Sequence, residues 1–134
     1  MKSDTAIVRH CVGALAATVA ALLPALQARA QLVDIAWSAA GEFERSLTVA
    51  PDKFAELCGA LNPGQSVQWR FEASKSLDFN LHFHVGKDVR YPARADQARE
   101  LQGTLVVDSA QDYCWMWSNR SDAAASLQVH LRKR

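Results

Sequence analysis

The chain has 134 residues, with 15 Lys and Arg against 14 Asp and Glu and a formal net charge of +1. That length allows one domain with a single modest core once an export leader is set aside. The near-balance of charge, spread along the chain rather than clustered, excludes a nucleic-acid surface of the basic type.

The first thirty residues read as a secretory signal peptide. Lys2 and Arg9 make a positive start, Cys11–Leu26 is an apolar run, and Ala28-Arg29-Ala30 places small residues where a signal peptidase reads. Cleavage is expected between Ala30 and Gln31, leaving residues 31–134 as one domain with no membrane span, periplasmic or secreted. Pro24 interrupts the apolar run, which is shorter than the roughly 20 residues a spanning helix needs. The Ala-rich leader suits a bacterial export route. Of 3 cysteines, Cys58 and Cys114 remain after cleavage. An even pair in an exported domain is most simply a disulfide, stabilising by about 4 kcal/mol in the chain-entropy model.

From Gln31 onward the periodicity is mostly two. Phe43–Ala50 is a candidate strand ended by Pro51-Asp52. Phe54–Leu61 reads as a strand or a short helical turn, stopped at Asn62-Pro63-Gly64. Gln65–Ala73 alternates, with Val67, Trp69 and Phe71 on one face. Leu77–Val85 does the same, with Phe79, Leu81 and Phe83 on one face and Asn80, His82 and His84 on the other. Val89–Tyr91 is a short strand closed by Pro92. Ala93–Leu101 is polar and helix-tolerant, and is expected to be a loop. Gly103–Val107 is a strand, and Asp108–Gln111 a turn. Asp112–Ser118 is an aromatic strand with Tyr113, Trp115 and Trp117 on one side and Cys114 and Met116 on the other. Leu127, Val129 and Leu131 mark the last strand. About seven strands with frequent turns point to an all-β protein, an antiparallel β-sandwich of jelly-roll type.

The order of these features resembles the GOLD domain, the β-sandwich of lumenal cargo receptors in the early secretory pathway and of some lipid-transfer proteins. The resemblance covers roughly residues 54–131. It rests on Val67-x-Trp69-x-Phe71, a following strand opened by Asp78, a Gly-led strand at Gly103, and Tyr113-Cys114-Trp115-Met116-Trp117-Ser118-Asn119 with Ser121 before the closing strand. The cargo-receptor members pair a cysteine near the start of the domain with one in the aromatic strand, where Cys58 and Cys114 stand. No coiled coil, membrane span or sorting tail is expected to follow the sandwich. The resemblance therefore implies a non-covalent binding role and no catalytic mechanism.

One constellation suggests chemistry. His82 and His84 project from the same face of one strand, and Cys114 and Met116 from the same face of another. Imidazole, thioether and thiolate together suit copper(I), with zinc a weaker candidate. Two ordinary surface histidines are the simpler reading. Cys114 cannot serve both as a disulfide partner and as a thiolate, so a set of His82, His84 and Met116 is the version that survives oxidation. No nucleophile elbow, phosphate loop or dinucleotide fingerprint occurs, and Asp78 is expected to bond backbone amides at a turn, so an enzyme is not expected. The leading expectation is a non-catalytic binding or adaptor domain for a protein or small ligand. A periplasmic copper-binding protein is the alternative, and a hydrolase with an unrecognised site is a third.

Overall fold

A computed structural model describes residues 29–134, so the expected signal peptide lies almost wholly outside the described residues. Seven strands follow: β1 (Gln31–Asp34), β2 (Glu42–Val49), β3 (Phe54–Leu61), β4 (Ser66–Val85), β5 (Asp88–Val106), β6 (Gln111–Ser118) and β7 (Ala125–Lys133). The path β1-β3-β6-β4-β7-β2 is continuous, with β5 added on the free side of β4. All pairings are antiparallel except β1 with β3. This single sheet doubles over into a nearly barrel-shaped sandwich. Among the described residues no helix is long and apolar enough to cross a membrane.

The doubling happens inside β4. Its first half, Val67–Ala73, pairs with β7, and its second half, Asp78–His82, pairs with β6. Between Glu72 and Leu77 the register with β5 shifts, and there the long strand passes from one layer to the other. Alternation carries the apolar side chains of both halves inward. Val67, Trp69, Phe71, Leu77, Phe79 and Leu81 of β4 meet Tyr113, Trp115 and Trp117 of β6 and Leu127, Val129 and Leu131 of β7 in one core. The rings of Phe71, Phe79 and Trp117 lie 5.1–5.6 Å apart in tilted and edge-on contacts, a favoured geometry for aromatic pairs. Trp69 lies over Gly103, where an added Cβ would sit 2.5 Å from the indole ring. A side chain at position 103 would therefore lift Trp69 out of the core.

Two expectations are corrected. Gln65–Ala73 and Leu77–Val85 are one strand, and Ala93–Leu101 is the middle of β5 rather than a loop. Pro92 does not end that strand. It sits in a bulge where Tyr91 and Pro92 together oppose His82, on an edge where no partner needs its missing N–H. The polar composition of 93–101 hid the strand because only Ala93, Ala95, Ala98 and Leu101 face the core, and alanines carry little periodic signal. A second bulge places Gln97 at φ 53°. Asp78 accepts from the Gln97 N–H at 3.1 Å and from Nε2 at 2.8 Å, and also from Arg120. The Arg120 guanidinium holds the Asp78 carboxyl below its ordinary value, with the Gln97 bonds adding to this and partial burial opposing it.

The aromatic strand leads into a turn organised by Asn119, which is 1% exposed. Its Nδ2 donates to Val49 O and Ala123 O, and its Oδ1 accepts from the backbone and hydroxyl of Ser121. Four bonds around one buried amide fix the crossing from β6 to β7 and tie it to β2. Asn119→Ala leaves those partners without their bonds and should cost about 2–3 kcal/mol. Denaturant unfolding monitored by tryptophan fluorescence measures this, and a loss within about 0.5 kcal/mol would contradict the role given to Asn119.

Candidate functional site

The outward face of the layer built from β1, β3, β6, β4 and β5 holds most of the residues singled out in the sequence. Register sets them in rows. Leu32, Glu56, Met116, Asn80 and Arg94 form one row across five strands. The next runs Asp34, Cys58, Cys114, His82. Cys58 and Cys114 stand directly opposite each other and are joined as a disulfide, 56 residues apart in sequence. Its closed loop is long enough for the expected stabilisation of about 4 kcal/mol.

His82 lies against this disulfide and is 7% exposed, although it points away from the aromatic core. Tyr91 and His84 flank it, with ring centroids at 6.1 and 5.4 Å. Its Nδ1 is 2.8 Å from Asn80 Oδ1, and its Nε2 is 3.2 Å from Glu56 Oε1. Both ring nitrogens thus face oxygen acceptors, an arrangement that only imidazolium satisfies on its own. Burial nevertheless pulls the affinity of His82 for its proton below the ordinary value, outweighing the attraction of Glu56, and His84 adds to the fall. In the neutral ring one contact is served by something other than the ring proton. Turning the Asn80 amide so that its N–H meets Nδ1 is one way to satisfy both nitrogens of the neutral ring.

The expected metal set is therefore only partly assembled. Cys114 is committed to the disulfide, which removes it as a thiolate in the oxidised protein. His82 turns its nitrogens to Asn80 and Glu56, and the β4 residue opposite Met116 is Asn80. His84 is exposed at the rim. The contribution of Glu56 was not visible in the sequence. It needed the β3–β6–β4 order to bring it beside His82.

The motif residues Trp69, Phe71, Tyr113 and Trp115 are buried in the core, while Asp78, Asn119 and Ser121 hold the bulge and the turn. Of these seven, Phe71 borders a small hollow of about 210 Å³ beside Arg70 and Glu72, and Trp69 a larger one. The larger hollow, of about 500 Å³, lies on the outer face of β7, β4 and β5, walled by Arg70, Gln102, His130 and Arg132. That face is polar, with Glu44 3.4 Å from His130 and Glu42 3.6 Å from Arg132.

Another opening lies at the end of the sandwich where the β4–β5 hairpin projects. Phe83, Val85, Arg90, Tyr91, Pro92 and the Asp108–Ser109 turn surround about 630 Å³. Tyr113 supports this end from beneath. Its ring is 4.8 Å from Phe83, and its hydroxyl donates to Ser109 O at 3.0 Å. Tyr91 and Val85 are 45% and 46% exposed, and the Arg94 guanidinium stacks 4.4 Å over the Tyr91 ring. An exposed tyrosine with an arginine on its face, beside an apolar rim, has the composition of a protein-recognition anchor.

No protein-family model and no curated protein matches the chain. Solved structures do share its fold. It is similar to PliG of Aeromonas hydrophila, a periplasmic lysozyme inhibitor of g-type lysozyme, at 13% identity over 79% of this chain and 98% of that one, with a TM-score of 0.64. PliG of Salmonella Typhimurium, also an inhibitor of g-type lysozyme, aligns at 16% identity over 78% and 99%, with a TM-score of 0.56. The Yersinia pseudotuberculosis-derived mitogen aligns at 13% identity over 68% and 84%, with a TM-score of 0.54.

The buried His82 gives stability a pH dependence. Its folded-state affinity for protons is lowered, so between the unfolded value near 6.5 and the lower folded value the unfolded chain binds more protons. Stability is full above that window and falls as pH drops through it. Urea unfolding at pH 7.5 and at pH 5.5 should show a loss in the wild type that shrinks in His82→Gln. An equal loss in both proteins would contradict a buried, neutral His82.

Proposed function

We propose that the protein is an exported, non-catalytic binding domain whose ligand is a folded protein, and that this partner is a g-type lysozyme. The observation that carries the reading is the end of the sandwich bearing Val85, Arg90, Tyr91 and Arg94. It is a projecting two-stranded hairpin whose exposed aromatic side chain is braced by a guanidinium. Anchors of this kind insert into concave sites, and a rigid strand pair loses little entropy on doing so. The lysozyme assignment is supported by the inhibitors that share the fold over nearly their whole length. Lysozyme acts on the cell wall, so an exported location serves such a partner, and we place residues 1–30 as its leader, removed after Ala30.

The GOLD resemblance enters on the same terms. Its motif residues here build the core and the β6–β7 turn, so the likeness supports a binding sandwich and points to no ligand. A catalytic role finds no support in the hairpin end, where Asp108 and Asp88 stand among apolar and basic neighbours without a paired acid and base.

Addition of the mature protein should suppress lysis of a peptidoglycan suspension by a g-type lysozyme, with a 1:1 complex by titration calorimetry. Tyr91→Ala and Arg94→Ala should each weaken that complex at least about tenfold while the thermal midpoint stays in place. Absence of any complex with g-type lysozymes would sink the partner. A tight complex indifferent to both substitutions would instead move the contact surface elsewhere. Mass analysis of the exported protein should show Gln31 as its first residue, and intact Met1 would overturn the leader.

A further inference from the structure

The Cys58–Cys114 row carries more than a covalent tie. A Glu56 carboxylate oxygen and both cysteine sulfurs lie within 4.8 Å of one another. His82 Nε2 lies outside that group, 3.2 Å from the Glu56 carboxylate. These four side chains come from three adjacent strands, and β-register alone holds them together: Cys58 opposite Cys114, and Cys114 opposite His82. The disulfide also forms part of the wall of a hollow of about 420 Å³ bordered by Asp34 and Asp112, so the sulfurs are reachable from solvent through an acidic opening.

We propose that reduction of the Cys58–Cys114 bond turns this row into a zinc site, with Cys58 Sγ, Cys114 Sγ, a Glu56 oxygen and His82 Nε2 as its four ligands. Two thiolates, an imidazole and a carboxylate match the ligand types of tetrahedral zinc. Tetrahedral geometry at zinc–sulfur distances near 2.3 Å needs sulfurs about 3.8 Å apart, so the freed thiols must turn away from each other about χ1. The imidazole is already oriented for the task. Zinc-bound histidines hold their remote N–H on an oxygen acceptor, and His82 Nδ1 sits 2.8 Å from Asn80 Oδ1. With Nδ1 carrying the proton, the Nε2 lone pair and the Glu56 carboxylate face one another, two donors converging on the place of a cation. Asp34 and Asp112 add negative potential at the entrance, which favours a divalent ion.

The chemistry balances in two steps. A reductant delivers an electron pair to the S–S bond, and the sulfurs take up two protons. Zinc then displaces those protons as it binds the thiolates. In the cell a dithiol protein can supply the pair by thiol–disulfide exchange. In vitro a water-soluble phosphine does so and leaves as its oxide, its oxygen drawn from water.

The test uses the mature protein, reduced anaerobically with the phosphine and freed of excess reagent. Reduced wild type should take up one zinc ion in competition with a chromophoric chelator, and cobalt(II) in its place should give sulfur-to-cobalt charge-transfer absorption. The oxidised protein should do neither. Glu56→Gln and His82→Gln should each weaken zinc by at least about tenfold, Cys58→Ser should weaken it and at least halve the charge-transfer band, and Cys58→Ser with Cys114→Ser should abolish that band. Bound zinc should also protect both thiols from alkylation, a readout independent of the chelator. Strand circular dichroism accompanies each titration. The proposal is overturned by a reduced protein that binds no zinc, by binding that survives Cys58→Ser undiminished, or by reduction that unfolds the chain without recovery on adding zinc.

Discussion

Strand β4 is hydrogen-bonded on both of its edges, and the change of partner along one of them governs the molecule. Over Val67–Ala73 that edge belongs to β7, over Asp78–His82 to β6, and β5 follows along the other side. A straight strand of 20 residues cannot serve both layers. The register break between Glu72 and Leu77 lets it do so, and it is secured on both sides. The Arg99 guanidinium donates to Ser74 O and the Ser126 N–H to Ser74 Oγ, while Asp78 collects the amide left over by the matching bulge at Gln97. The bend closes the aromatic core between the layers, and it also presents Asp78, Asn80 and His82 on the outside.

Because side chains alternate, fixing the core face fixes the outer face as well. Burial of Phe79, Leu81, Trp115 and Trp117 obliges Asn80, His82, Cys114 and Met116 to stand together on the other surface. Position on that surface, however, does not mean exposure. Tyr91 folds over His82 from the β5 bulge, and Glu56 reaches it from β3, so an outward-facing imidazole ends up desolvated. The acidic residue, the disulfide and the imidazole therefore stand as one cluster on the outer surface.

The outer edge of β5 raises a different question, since a 19-residue strand paired only with β4 leaves a long edge that invites association. Pro92, the Gln97 bulge and the charges of Arg90, Arg94, Asp96, Arg99 and Glu100 interrupt that edge along most of its length. Large apolar or aromatic side chains stay exposed at its two ends, Val85 and Tyr91 at the hairpin tip and Val106 at the other. An edge so interrupted from Arg90 to Glu100 is consistent with a partner engaged at the tip by side chains rather than by strand addition.

Much of this was legible in the sequence, for reasons that can be named. Strict alternation of large apolar residues at Val67–Phe71, Phe79–Phe83 and Tyr113–Trp117 determined the all-β class and which face of each strand is buried. Two cysteines outside the expected export leader indicated their pairing. Other features were set only by the tertiary structure. Strand β1 is four residues long and gains its place by pairing with β3, which no local signal announces. The middle of β5 has the composition of a loop or helix and is held as a strand by hydrogen bonds to β4. Periodicity specifies a face within one strand and says nothing about which strand lies beside it. That is why His82 could be placed on the outer face from the sequence, while its meeting with Glu56, Asn80 and the disulfide required the strand order. Neighbours across a sheet are a property of register and topology, and the chain acquires both only on folding.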